Sequence, residues 1–142
     1  MMQITKILLV DIDESLRGVF ANLLDKLFAG KQYNLIQVKS VRKALDILKK
    51  DNIDLIITDL QLLDHSGISL LIQVNEAYPT IPKIVLSGYT DLVSMEDLEL
   101  LGVKYFFQKP PDLSLFRRGI EQIFQLKRGG EYGINGLNKQ FI

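Results

Sequence analysis

Asp54-Leu55-Ile56-Ile57-Thr58-Asp59 is the stretch on which the fold turns. The apolar, β-branched run from Ile53 to Thr58 suits a strand buried on both faces, and it ends on an acid. An irregular loop then leads to Gly67, eight residues beyond Asp59. Beyond it Ile68, Leu71, Ile72 and Val74 form the apolar side of a helix that Tyr78-Pro79 closes. A buried strand followed by an amphipathic helix is the unit of a parallel α/β sheet.

The same unit recurs on either side. Upstream, Ile7-Leu8-Leu9-Val10 is a short apolar run ending at Asp11. Leu16, Val19, Phe20, Leu23, Leu24, Leu27 and Phe28 follow at helical spacing, with Asp13 positioned to cap that helix and Gly30 to stop it. Leu35-Ile36-Gln37-Val38 is the second strand, and Ser40 caps a helix carrying Val41, Ala44, Leu45 and Leu48. Downstream, Ile84-Val85-Leu86 ends at Ser87-Gly88, and a fourth, least regular helix is expected from Asp91 to Leu101, ended by Gly102. Tyr105-Phe106-Phe107 is the fifth strand, then Lys109-Pro110-Pro111, then a helix with Leu113, Phe116, Ile120, Ile123 and Phe124. Five alternations predict right-handed crossovers and a parallel sheet covered by helices on both faces. Such sheets carry their sites at the carboxyl ends of the strands, near the switch in strand order.

Composition excludes several functions. The 142 residues suit one domain, and 47% hydrophobic with 24% charged is ordinary globular composition. Seventeen Lys and Arg balance seventeen Asp and Glu, which leaves no basic footprint for nucleic acid and no polybasic attraction to a membrane. Cysteine is absent, so disulfides, thiolate metal sites and thiol nucleophiles are excluded, compatibly with a reducing compartment. The amino-terminal apolar run is too short for a signal peptide and no stretch reaches membrane-span length, so a cytoplasmic location is expected. The helical pattern stops after Lys127-Arg128. We expect a domain over residues 1–128 and a Gly-rich tail or linker start over 129–142, whose alternative is a short extension docked through Phe141 and Ile142.

The strand ends present Asp11, Asp59, Ser87 and Lys109. Together they suit phosphoryl transfer to a carboxylate: one acid is the nucleophile, giving an acyl phosphate. Acids at neighbouring strand ends can hold Mg²⁺, while a hydroxyl and an ammonium bind the phosphoryl oxygens. Each residue alone has an ordinary explanation, because Asp commonly ends strands or caps helices and Lys-Pro is commonly a turn. Their recurrence at the ends of four different strands is what carries weight.

Over about residues 4–127 the chain resembles the response-regulator receiver family of bacterial two-component signalling. Ile7 to Asp11 resembles the opening strand and its acid, and Asp54 to Asp59 with Gly67 the phospho-acceptor strand and loop. Val85-Leu86-Ser87-Gly88 resembles the switch-hydroxyl strand, and Lys109-Pro110 the lysine followed by a proline. The resemblance implies a flavodoxin-like, doubly wound five-stranded sheet in the order 2-1-3-4-5 with five helices. It implies that Asp59 accepts a phosphoryl group from a sensor histidine kinase or phosphotransfer protein. Ser87 and Lys109 would bind the phosphoryl oxygens, and Mg²⁺ would be held by Asp11, Asp59 and the Gln61 backbone carbonyl. The Lys109-Pro110 bond is expected to be cis. Phe106 occupies the aromatic-switch position, so that phosphorylation would draw Ser87 inward, let the ring rotate and alter the face formed by the fourth helix, fifth strand and fifth helix; its ordinary reading is a core aromatic. Gln61 and Tyr89 lie where the family tunes phosphate loss, and Tyr89 is large enough to screen the site from water.

The chain departs from the family at one metal position. Two adjacent acids normally follow the first strand, and here the second is Ile12. Three outcomes are open: weak Mg²⁺ binding, substitution by Asp13 or Glu14, or loss of the site to give a phosphate-independent pseudo-receiver that acts as an interaction module. Leu63 stands where a proline is common, and His65, the one histidine, is on the same loop, where the ordinary reading is a solvated side chain. A remoter alternative is a phosphatase of the haloacid-dehalogenase type, because Asp11-Ile12-Asp13-Glu14-Ser15 has the Asp-x-Asp-x-hydroxyl form. Against it, few acids follow Lys109, and Asp59 with its loop would be unexplained. We therefore expect a signalling module with no catalytic turnover beyond self-phosphorylation and autodephosphorylation. Its partners would be a kinase, a downstream protein or fused output domain, and a homodimer partner, with no direct nucleic-acid or membrane contact.

Overall fold

The computed structural model describes residues 4–88 and 93–125. The elements follow one another as β1 (Thr5–Val10), α1 (Ser15–Leu27), β2 (Tyr33–Val38), α2 (Val41–Lys50), β3 (Leu55–Thr58), α3 (Gly67–Ala77), β4 (Lys83–Ser87), α4 (Met95–Leu100), β5 (Val103–Gln108) and α5 (Leu113–Phe124). All strand pairs are parallel, and the five-stranded sheet runs β2-β1-β3-β4-β5. This is the flavodoxin-like, doubly wound arrangement that the sequence led us to expect. Its order reverses between β1 and β3, where Asp11 and Asp59 both emerge.

Alternation along each strand builds two cores. Ile7 and Leu9 of β1, Leu55 and Ile57 of β3, Ile84 and Leu86 of β4 and Phe107 of β5 face α1 and α5, where Phe20 stacks on Phe116 at 4.7 Å between ring centroids. On the opposite face Leu8, Val10 and Ile56 meet Val41, Ala44 and Leu48 of α2 and Leu70 and Val74 of α3. A third cluster joins Leu60, Leu71, Val85, Leu98, Val103 and Phe106 beneath α4. Strands buried on both sides explain why their sequences read as unbroken apolar runs.

β1, β2, β4 and β5 extend past their apolar centres, with β5 running from Val103 to Gln108 rather than over three aromatic residues, whereas β3 is Leu55–Thr58 and leaves Ile53 and Asp54 of the expected run outside it. The larger difference is α4. A helix from Asp91 to Leu101 was expected; the observed helix is Met95–Leu100, with Val93 and Ser94 outside it. Ser94 is extended, and its hydroxyl accepts from the Asp97 N–H at 3.1 Å, so it takes the cap position that the earlier start would have placed inside the helix. Tyr89 and the 129–142 segment lie outside the described residues. Among the described residues no helix is long and apolar enough to cross a membrane.

Candidate functional site

Three strands deliver the polar groups. β1 runs into Asp11, β3 into Asp59 and β4 ends on Ser87, and all three residues are buried. Lys109 follows β5, and its backbone N–H donates to the Ser87 carbonyl at 3.0 Å, which fixes where its side chain departs. The Lys109-Pro110 bond is cis, as expected. The ammonium reaches across the sheet end and lies 2.8 Å from Asp11 Oδ2 and 2.9 Å from Asp59 Oδ2. Asp11, Asp59 and Lys109 are thus brought together as a triad, with Ser87 at the adjoining strand end.

The Asp59 carboxylate is divided between two kinds of partner. Oδ1 accepts from the backbone N–H of Leu60 at 2.5 Å and of Gln61 at 3.3 Å, and Oδ2 accepts from Lys109. The loop beyond returns sharply: Gly67 N–H donates to the Leu60 carbonyl at 2.8 Å, and Gln61 pairs with Ser66 in an isolated bridge. Thr58 donates its hydroxyl to the Asp59 carbonyl at 2.8 Å. The Asp59 carboxylate is therefore held by backbone geometry on one side and a cation on the other.

Asp11 is held differently. Its Oδ1 accepts the Asp13 N–H at 2.9 Å, while Oδ2 faces Lys109 without a donor aligned on it. Burial pushes the Asp11 carboxyl above the ordinary aspartate value, against the pull of Lys109. For Lys109 burial works downward, but its pairing with the Asp11 and Asp59 carboxylates outweighs it and raises the ammonium above its ordinary value. One ammonium against two carboxylates leaves the cluster negative and one buried oxygen poorly satisfied, which is a donor set that a hard cation fits. Mg²⁺ commonly binds through one or two carboxylates and keeps several waters, so Asp11 and Asp59 suffice in kind. Among the described residues no group of three or more His, Cys, Asp and Glu side chains is placed to hold a metal.

The residues around Ile12 are engaged elsewhere. Ile12 is exposed. Asp13 turns to the start of α1, where Oδ1 accepts the Ser15 N–H at 3.0 Å and the Ser15 hydroxyl at 2.7 Å; the Ser15 hydroxyl, then its N–H, hold this carboxyl below its ordinary value. Glu14 pairs with Lys39. The exposed His65 donates its backbone N–H to Asp64, and Leu63 is also exposed. Phe106 is 1% exposed, inside the apolar cluster beneath α4.

Two contributors escaped the sequence reading. Gln37 Nε2 donates to the carbonyls of Asp11 at 2.9 Å and Asp13 at 3.1 Å. Asp64, in the loop after Asp59, accepts the N–H groups of Val41 at 2.8 Å and Arg42 at 3.0 Å at the start of α2. A polar residue inside the second apolar run was the only visible sign of the first; nothing local signalled the second.

Comparison with known proteins agrees with this geometry. Residues 7–125 match the family described as "Response regulator receiver domain". The chain is 29% identical over 122 residues to sporulation initiation phosphotransferase F of Bacillus subtilis, covering 86% of this chain and 95% of that one. It is 25% identical over 119 residues to the transcriptional regulatory protein GlrR of Escherichia coli, covering 84% of this chain but only 26% of that longer protein. The solved structure of a response regulator receiver protein from Pseudomonas putida superposes with a TM-score of 0.74 at 26% identity, covering 86% of this chain and 99% of that one. The chain belongs to the response regulator receiver domain family, the receiving module of two-component phosphorelay signalling.

Proposed function

We propose that Asp59 is the phospho-acceptor of this receiver, that Ser87 and Lys109 bind the transferred phosphoryl group, and that Asp11 and Asp59, with the Gln61 carbonyl, form the Mg²⁺ site. The observation that carries this reading is the Lys109 ammonium standing between Asp11 and Asp59 at the carboxyl ends of adjacent strands. An Asp59 carboxylate oxygen attacks phosphorus, the bond from phosphorus to the donor nitrogen or oxygen breaks, and an acyl phosphate results. Lys109 meets the charge of the incoming phosphoryl oxygens, and the Leu60 and Gln61 N–H groups orient the attacking carboxylate. Bound Mg²⁺ would supply further charge stabilisation at those oxygens. Asp13 is engaged by Ser15 just before α1, where Glu14 rather than Asp13 takes the cap position, so Ile12 leaves a cation site of two carboxylates, weaker than one of three.

The donor is a sensor histidine kinase or a phosphotransfer protein, and the output is a partner protein or an appended domain, in a cytoplasmic setting. Residues 1–128 form the receiver, with 129–142 as tail or linker. Ser87 and Phe106 are the switch pair, Gln61 and Tyr89 tune the lifetime of the phosphoryl group, and α4 and α5 are the face for a homodimer. The chain turns over no substrate beyond its own phosphoryl group. A haloacid-dehalogenase-type phosphatase is disfavoured on the chemistry of Asp13. A general acid needs a raised carboxyl, whereas Asp13 is lowered by its hydrogen bonds to Ser15.

Intact mass after incubation with a small phosphodonor tests the reading, with Mg²⁺ or chelator, on wild type and Asp59→Asn. A Mg²⁺-dependent phosphoryl adduct absent from the variant is expected. No adduct with the phosphodonor or with a histidine kinase would overturn it in favour of a phosphate-independent interaction module.

A further inference from the structure

Gln37 sits in β2 opposite Leu9 of β1, one register step before both strands end. Its side chain reaches past the end of β1, and one amide nitrogen donates to the carbonyls of Asp11 and Asp13. Both neighbours are acceptors, so only the nitrogen of the amide can face them. Those carbonyls flank Ile12, and bridging them fixes the turn in between. The same turn aims the Asp13 N–H at Asp11 Oδ1, leaving Asp11 Oδ2 directed at Lys109. It also sends the Asp13 side chain to Ser15. The Gln37 amide therefore lies one covalent turn away from the orientation of the Asp11 carboxylate.

We infer that Gln37 is a positioning residue for Asp11. It holds the turn at Ile12 so that this carboxylate presents Oδ2 toward the cation site, in a receiver that has no second acid beside it. The inference rests on the reading of Asp11 and Asp59 as the Mg²⁺ site. Outer partners that orient a ligand commonly contribute about 10–100-fold in metal affinity, and with few carboxylates the orientation of each counts more.

The test is titration of the intact chain with Mg²⁺ alone, followed by backbone amide NMR shifts, for wild type, Asp11→Asn, Gln37→Met and Gln37→Asn. Gln37→Met keeps the volume and removes the donors; Gln37→Asn keeps a polar side chain one methylene too short for both carbonyls. Both are expected to weaken Mg²⁺ binding about tenfold. Metal-free shift changes should be confined to residues 11–15 and 37, with β4 and β5 unchanged, a pattern that general loosening of the fold would not give. Folded variants binding Mg²⁺ within twofold of wild type would overturn the inference and leave the cation site standing. Wild type that binds no Mg²⁺, or binds it as Asp11→Asn does, would overturn the cation site and this inference with it. Failure of both Gln37 variants to fold would assign Gln37 a purely structural role.

Discussion

A Cβ added to Gly67 would lie 2.1 Å from the carbonyl oxygen of Asp59 and 2.8 Å from Leu60 Cα. Helix α3 therefore begins in contact with the backbone of Asp59, an approach that only glycine permits. Gly67→Ala is expected to destabilise the fold by about 3 kcal/mol or more, since the clash is with backbone and cannot be relieved by a side-chain rotation. Gly18 in α1 is the control: a Cβ there meets nothing within 4 Å. Gly18→Ala should stabilise by about 0.5–1 kcal/mol. Urea unfolding of the two variants reads both signs, and a Gly67→Ala protein as stable as wild type would refute the close approach.

Asp11 illustrates stability given up at a site. Burial raises its carboxyl above the ordinary value of 3.8, so ionising it costs more in the folded state than in the unfolded chain. Its folded value lies above its unfolded value, so stability from this group is greatest below 3.8 and is lost as pH rises through the folded value. Asp11→Asn keeps an oxygen for the Asp13 N–H and removes the charge. It should be more stable than wild type at pH 7 by about 0.5–2 kcal/mol. That gain should shrink as pH falls through the folded value. A variant less stable than wild type at pH 7 would show that the pairing with Lys109 outweighs the burial.

Removing the cation should act in the opposite sense. Lys109→Met leaves Asp11 and Asp59 facing each other without compensation, at a cost of roughly 1–3 kcal/mol at pH 7. Lys109 is raised above its ordinary 10.5 because its carboxylate partners outweigh burial. Its contribution is accordingly complete below 10.5 and lost as pH rises through the folded value. Denaturant midpoints for wild type and variant should thus differ equally at pH 7 and 9 and converge above 10.5. A constant gap across the whole range would place the effect in lost packing of the lysine stem.

Most of this architecture was legible because apolar runs in a doubly covered sheet declare themselves. Asp11, Asp59, Ser87 and Lys109 were legible because strand ends are where such a sheet exposes polar groups. The start of α4 was not: Asp91 and Ser94 are both good caps, and choosing between them depends on where the chain leaves β4. Gln37 and Asp64 were invisible for a related reason. Each acts across a loop contact that exists only once β2 lies beside β1 and the loop after Asp59 lies beside α2, and neither adjacency is written in local spacing. Lys83, which opens β4 just before the apolar run, is likewise not placed by local spacing: it is 1% exposed, with Nζ donating to the Ile81 carbonyl at 3.1 Å.

Asp64 gives the last test, because it ties the loop after Asp59 to a helix that carries none of the candidate site residues. Its carboxylate accepts the Val41 and Arg42 N–H groups, while Ser40, the helix's own cap, accepts that of Lys43 at 3.1 Å. Two free N–H groups and the positive end of the helix dipole are thereby met by one anion from another loop. Desolvation works upward on Asp64, but the hydrogen bonds from Val41 and Arg42, with others, outweigh it and hold the carboxyl below 3.8. A lowered carboxyl stabilises the fold above the unfolded value and stops doing so as pH falls through the folded one. Asp64→Ala should therefore lower the melting temperature by a few degrees at pH 7 and by progressively less below pH 3.8. Hydrogen exchange should quicken at the Val41 and Arg42 amides and stay unchanged at Lys43, which keeps Ser40. Equal quickening at all three would mean that the whole first turn of α2 depends on the loop after Asp59, and unchanged exchange at all three would remove Asp64 from the helix cap.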